Sequence, residues 1–181
     1  MIVASGNCHK SLGLGRIKPI FKGKGSSFNL VSYRPILVKN SGWNFVGNLF
    51  NASLERNLTS NIFACRILMG TEDAILRIRE KIISESLKGN KIVVVAVDIK
   101  RAFEELPHEV VLKSISRTGA SETTMNIIRS YLTSQASYVQ VGEKKSKLIM
   151  NKSRGIGQGT HIAGPVFNIA TIGITDKRRI E

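Results

Sequence analysis

Val95-Ala-Val-Asp-Ile-Lys-Arg-Ala-Phe103 decides how the chain is read. It closes the longest strictly apolar run, Ile92 to Val97, which is continuous and rich in β-branched residues. Lys91 to Val97 therefore predicts a strand buried on both faces. Asp98 sits at its C-terminal end. A carboxylate there is costly unless it has a partner or a task. Two readings stand for Asp98 alone: a strand-end residue capping the next turn, or a functional carboxylate.

Outward from this segment, periodicity and punctuation mark the other elements. Ile17 to Phe21 and Val31 to Val38 predict two strands around the flexible turn Lys22-Gly-Lys-Gly-Ser-Ser27, with Pro35 at an edge. Ser41 predicts an N-cap for a helix to about Leu58, with Trp43, Val46, Phe50 and Leu54 on one face and Leu49 beside them. Thr71 caps a second helix whose inner stripe is Ala74, Ile75, Ile78 and Ile82, ended by Gly89. Glu72 and Asp73 in its first turn suit the helix dipole. Pro107 opens a helix that stops near Gly119, and Ser121 caps another through Met125, Ile128 and Leu132. Tyr138 to Val141 alternates and turns at Gly142-Glu-Lys-Lys145 into Ser146 to Met150. Gly155 to Gly159 leads into a helical segment, Ile162 to Ile172.

Composition bounds the function. The chain has 181 residues, a hydrophobic fraction of 42% and a net charge of +14. That suits one domain, or one and a fragment of a second, with a core to bury. Residues 1–60 hold eight basic residues and one acid, Glu55, which is half of the excess. Arg16, Lys18, Lys22, Lys24, Arg34 and Lys39 carry most of it; they form either a solvated surface or a phosphate-facing one. The apolar runs fall far short of the roughly 20 residues of a membrane span. Cys8 and Cys65 make no disulfide framework, so a reduced intracellular protein is expected. Cys8, His9, Cys65, His108 and His161 have no zinc spacing. His108, after Pro107 at a helix start, reads as structural. Neither a phosphate-binding Gly-x-x-x-x-Gly-Lys loop nor a dinucleotide fingerprint occurs.

The order of the pieces is the specific signal. Lys18-Pro-Ile-Phe-Lys22 and Tyr33-Arg-Pro-Ile36 are followed by Thr71-Glu-Asp-Ala-Ile-Leu76 and Val97-Asp-Ile-Lys-Arg-Ala-Phe-Glu-Glu-Leu-Pro-His108. Arg129-Ser-Tyr-Leu132, Val139-Gln-Val-Gly142, Gly155-Ile-Gly-Gln-Gly-Thr160 and Phe167-Asn-Ile169 complete the series. From about Ile17 to Ile169 the chain resembles the reverse transcriptase domain of non-long-terminal-repeat (LINE-type) retrotransposons. The resemblance implies an α+β fold, a partial right-hand polymerase with fingers and an incomplete palm, antiparallel strands packed on helices. It divides the chain into a disordered basic arm (1–14), a fingers-like region (15–90) and an incomplete palm region (91–181). It implies RNA-directed DNA synthesis by two-metal nucleotidyl transfer, with Mg2+ as cofactor. RNA template, DNA primer and deoxynucleoside triphosphates are the implied partners, and the nucleus or cytoplasm the implied location.

The same resemblance assigns roles. Asp98 would bridge the metals and the Ile99 carbonyl would complete one site, since hard cations take oxygen ligands. Phe103 would lie under the incoming sugar; without the resemblance it also reads as core. Arg34 would clamp the triphosphate with its planar fork, and Lys22 or Lys24 would add point charge. Gln158 would position nucleotide or template base; alone, it also reads as a turn residue. Arg66 would touch the template backbone.

The match also breaks in places. Gly157 stands where the family has Pro before the Gln-Gly, which predicts a looser loop. Ile62-Phe-Ala-Cys-Arg66 lacks the Gln and Gly of the corresponding family element, and Glu104 replaces an Asp. The aromatic-x-Asp-Asp element that supplies the remaining metal carboxylates does not occur in these 181 residues. Asp176 lacks a neighbouring Asp. The resemblance thus implies either a polymerase stretch inactive by itself or a non-catalytic nucleic-acid-binding remnant of a decayed element.

Overall fold

The computed structural model describes residues 13–56, 58–133, 135–150 and 153–175. The expected basic arm falls largely outside them, as do Asp176 and the side chains of Leu49 and Phe50 from the first predicted helix. Leu14, which the sequence assigns to the arm, already belongs to a strand.

The architecture is mixed α and β: one four-stranded sheet and five helices. Strand β1 (Leu14–Phe21) and β2 (Tyr33–Lys39) form an antiparallel hairpin from Gly15 opposite Lys39 to Phe21 opposite Tyr33. Pro19 faces Pro35 across it. Neither ring can donate to a ladder. Pro35 lies on the edge strand, and Pro19 lies past the end of the pairing with β3, which stops at Ile17. Between the strands, the Asn29 side chain accepts from Val31 N–H and caps a single 3-10 turn.

Helix α1 (Ser41–Glu55) is capped by Asn40 rather than Ser41, the Asn40 carboxamide accepting from Gly42 N–H at 2.9 Å. Helix α2 (Thr71–Leu87) likewise starts one residue after its cap, Gly70, whose N–H donates to the Asp73 carboxylate at 2.7 Å. Gly89 ends it with φ of +78°. Helices α3 (His108–Ser116) and α4 (Glu122–Thr133) follow, α4 capped by the Ser121 hydroxyl. Strands β3 (Ala136–Val141) and β4 (Lys144–Lys145) turn through Gly142-Glu143. Helix α5 (Ala163–Thr175) closes the described chain.

The sheet order is β2-β1-β3-β4, and β1 pairs with β3 in parallel. The expectation of antiparallel strands is therefore corrected to a mixed sheet. The hairpins are antiparallel because short turns reverse the chain. A connection as long as that from β1 to β3, which contains four helices, can return in the same direction. The core lies among the helices: Trp43 and Leu54 of α1, Val111 and Ile115 of α3, Ile127, Ile128 and Tyr131 of α4, and Val166 and Ile169 of α5.

Two further expectations are overturned. Residues 91–97 form no strand, and Val93, Val95 and Val97 are 86%, 77% and 84% exposed. The stripe of α2 is not an inner one, because that helix has no buried residue. β-branching favours extended backbone, but a strand is held by ladder bonds to a neighbour. Among the described residues none lies beside this segment. Ile78 and Ile82 of α2 and Ile92 to Val95 instead line a shared open cleft of about 1050 Å³.

The end of α2 carries a pH-dependent clasp. The Glu85 carboxylate accepts from Lys81 Nζ at 2.8 Å, Asn90 Nδ2 at 2.7 Å and Lys88 Nζ at 3.0 Å. These bonds, that from Lys81 foremost, hold its pKa down to about 2. A lowered pKa supports the fold above the unfolded-state value and loses that support as pH falls through the folded one. Amide exchange at Lys88 to Asn90 is expected to accelerate between about pH 4.5 and 2 and to show no such step in Glu85→Gln.

Candidate functional site

The loop after residue 97 supplies the centre of the site. Glu104 and Glu105 N–H both donate to the Arg101 carbonyl, at 3.1 and 3.0 Å, in a tight turn. Arg101 sits at φ of +54°, a left-handed conformation uncommon for a side chain of its size. Its guanidinium pairs with Glu105 at 2.8 Å.

The Gly-rich loop docks on this turn. Ile156 N–H donates to the Phe103 carbonyl and Gly155 N–H to the Leu106 carbonyl, both at 2.8 Å. His108 is buried, with Nε2 2.9 Å from the Gly155 carbonyl oxygen, so it ties the two loops together, the structural role its position suggested. Gly155 has φ of +89°, and a Cβ there would lie 2.9 Å from the Glu104 carbonyl oxygen.

The other side of the Gly-rich loop meets β2. Leu37 N–H donates to the Gln158 carbonyl at 2.6 Å. A Cβ on Gly157 would lie 2.0 Å from Leu37 Cδ2. Gly157 is therefore closely packed, and the looser loop expected from the missing Pro is corrected: Leu37 occupies the space any Cβ would need.

These contacts bring together residues far apart in sequence. Lys22, Arg34, Asp98, Ile99, Phe103 and Gln158 line one cleft of about 830 Å³. Lys22 Nζ donates to the Val31 carbonyl at 2.7 Å, which anchors it at the mouth of the hairpin. Phe103 lines the cleft and also stacks on Phe167 of α5, ring centroids 4.8 Å apart and planes 30° apart. Both sequence readings of Phe103 thus describe one ring. Asp98 is solvent-exposed, so the desolvation cost expected of a buried strand end does not arise.

Lys24 lies in an exposed turn and does not line the cleft. Arg66 lies elsewhere too, its Nη1 donating to the Thr59 and Ile62 carbonyls at 2.9 and 3.1 Å. Lys100 and Arg101 line the cleft beside Asp98 and went unassigned from the sequence. The signal was the dibasic pair itself, directly after Asp98-Ile99.

The donor set was tested against Mg2+. Asp98 offers a carboxylate and Ile99 a carbonyl, the hard oxygen ligands such an ion takes, with water and substrate phosphates completing its shell. The residues fit one such ion. No group of three or more His, Cys, Asp or Glu able to hold a metal occurs among the described residues. They do not furnish a second protein-built site.

The chain is similar to retrotransposon-encoded Pol polyproteins. It is 28% identical over 100 residues, 55% of its length, to a Retrovirus-related Pol polyprotein from type-1 retrotransposable element R2 of Popillia japonica. A second R2 Pol polyprotein from the same organism is 28% identical over 75 residues, 41% of the chain. These similarities mark the chain as retrotransposon-related. The matched stretches are 16% and 10% of those relatives' lengths. No protein-family model matches the chain.

Proposed function

We propose that this chain is the nucleotide-binding part of a reverse transcriptase, with residues 15–90 as fingers-like region and 91–181 as part of the palm. The convergence of Lys22, Arg34, Asp98, Ile99, Phe103 and Gln158 on one cleft carries this reading. Cations at one side suit a triphosphate, and a bidentate guanidinium suits its oxygens. Asp98 and the Ile99 carbonyl would hold a single Mg2+, which when bound would neutralise phosphate charge. Phe103, braced by Phe167, would present a ring edge or face to the sugar. Gln158, fixed through its own carbonyl on β2, would meet nucleotide or template base. Lys24 and Arg66 would contact nucleic acid outside the cleft.

With one protein-built metal site, the chain would bind nucleotide and template-primer without extending the primer. The second reading, a non-catalytic remnant that binds nucleic acid alone, rests on the same scarcity of carboxylates.

Titration of a fluorescent deoxynucleoside triphosphate onto the chain with an RNA template and DNA primer separates them. Binding is expected to strengthen with Mg2+, and Asp98→Asn to abolish that dependence. Arg34→Gln is expected to weaken binding by about tenfold or more, as for a lost charge-assisted hydrogen bond. Affinity unchanged by Mg2+ and by both substitutions would reject the nucleotide site. Primer extension by the wild-type chain, lost in Asp98→Asn, would overturn the expectation of inactivity.

A further inference from the structure

The outer face of the sheet carries a feature that the cleft does not use. Side chains alternate across β1, so Gly15, Ile17 and Pro19 point inward while Arg16 and Lys18 are exposed on the other face. Residues directly opposite on neighbouring strands share a face. Arg16 lies beside Tyr138 of β3, and Gln140 lies opposite Lys145 of β4. The Lys145 ammonium stands over the Tyr138 ring, 5.6 Å from its centroid. Arg16, Lys18, Gln140 and Gly142 line a groove of about 250 Å³. Arg34, opposite Ile20, lies at the far end of the same face, where the sheet meets the cleft.

The four strands contain six Lys or Arg and no Asp or Glu. Glu143, in the β3–β4 turn, is the nearest carboxylate in sequence. Among the described residues no carboxylate pairs with Arg16, Lys18 or Lys145. A run of unneutralised cations held on rigid strands, with one aromatic ring among them, matches a chain of phosphates bearing flat bases. Phosphates take the cations and a base takes the ring. A lipid surface or an acidic protein would use the cations but not the ring.

We propose that Arg16, Lys18, Tyr138, Gln140 and Lys145 form a track for single-stranded nucleic acid, distinct from the cleft. It requires neither divalent metal nor nucleotide, so it stands or falls separately from the proposed nucleotide site. Arg16 and Lys18, two positions apart on one face, are about 6.7 Å apart along the strand and contact successive phosphates. Tyr138 stacks one base, and Gln140 lies alongside it.

The test is fluorescence anisotropy of a 20-nucleotide single-stranded DNA, labelled at one end, in EDTA without nucleotide. Wild type is expected to bind with log affinity falling linearly against log salt. Arg16→Gln/Lys18→Gln is expected to weaken binding by about tenfold at low salt and to flatten the slope by about 1.4, roughly 0.7 per lost phosphate contact on a single strand. Lys145→Gln, an independent variant on another strand, should flatten it by about 0.7. Tyr138→Leu should cost about fivefold or more with the slope unchanged, since stacking releases no counterion. Lys22→Gln, in the cleft, should leave all of these values unaltered. An unchanged slope in Arg16→Gln/Lys18→Gln and in Lys145→Gln would overturn the track. So would equal binding to phosphatidylserine vesicles with no effect of Tyr138→Leu, which would indicate an unspecific polyanion surface.

Discussion

Gly157→Ala is expected to destabilise the fold by about 3 kcal/mol, the upper range for overpacking a well-filled site. The new methyl would sit 2.0 Å from Leu37 Cδ2 and 3.1 Å from Leu37 Cβ and Cγ. Rotating Leu37 relieves the first contact but not that with its Cβ, so β2 itself must move. The same movement stretches the 2.6 Å bond from Leu37 N–H to the Gln158 carbonyl. Leu37→Ala alone is expected to cost about 2 kcal/mol or more, because its side chain is buried. The double variant should be more stable than the sum of the single effects predicts by at least about 1 kcal/mol, since the two changes share one space. Urea unfolding of the four proteins closes the cycle. Strict additivity would mean that the Gly-rich loop does not rest on β2. Gly157→Pro carries the same Cβ and is expected to be no better tolerated, although the resembled family places Pro at this position.

Much of the fold was legible because its signals are local. The turn glycines 89, 119 and 142 all have positive φ, as helix ends and hairpins require. Ser121 caps α4 with its own hydroxyl, and Pro107 precedes α3 as an N-terminal proline should. Cap assignments at Ser41 and Thr71 missed by one residue because Asn40 and Gly70 were equally good caps in the sequence. The run 91–97 failed for a different reason. Its composition reports what the backbone prefers, whereas burial depends on what lies opposite, and no local pattern contains that. The same limit applies to α2, whose apolar stripe is spaced correctly yet exposed.

The site divides along the same line. The order of motifs singled out Lys22, Arg34, Asp98, Ile99, Phe103 and Gln158, and these share a cleft. What the sequence could not show is how they are held. The bond from β2 to the Gly-rich loop joins Leu37 to Gln158, and the bond from α3 joins His108 to Gly155. Both are contacts between distant segments whose residues are individually ordinary.

The support beneath that loop makes the last expectation the most severe. Trp43 is fully buried and meets Tyr131 edge-on, ring centroids 5.0 Å apart at 74°. Lys39 Nζ stands 4.1 Å from the centre of the Tyr131 ring. The Tyr131 hydroxyl is 2.8 Å from Thr160 Oγ1, and Thr160 in turn donates to the Gly157 carbonyl at 3.2 Å. A continuous line of contacts thus runs from α1 through α4 to the loop that presents Gln158. Trp43→Ala is expected to cost about 3–5 kcal/mol, a large share of the stability of a domain this size. Tyr131→Phe keeps the ring and loses only the hydroxyl bond, so about 1 kcal/mol is expected. Burial pushes the Tyr131 pKa up to about 12. A raised tyrosine pKa means that the fold favours the neutral phenol. Its contribution is complete below about pH 10 and is lost as pH rises toward 12. Wild type should therefore lose stability over that interval, and Tyr131→Phe should lose less of it. A Trp43→Ala variant within about 1 kcal/mol of wild type, or identical alkaline profiles for wild type and Tyr131→Phe, would show that this line of contacts does not hold the loop in place.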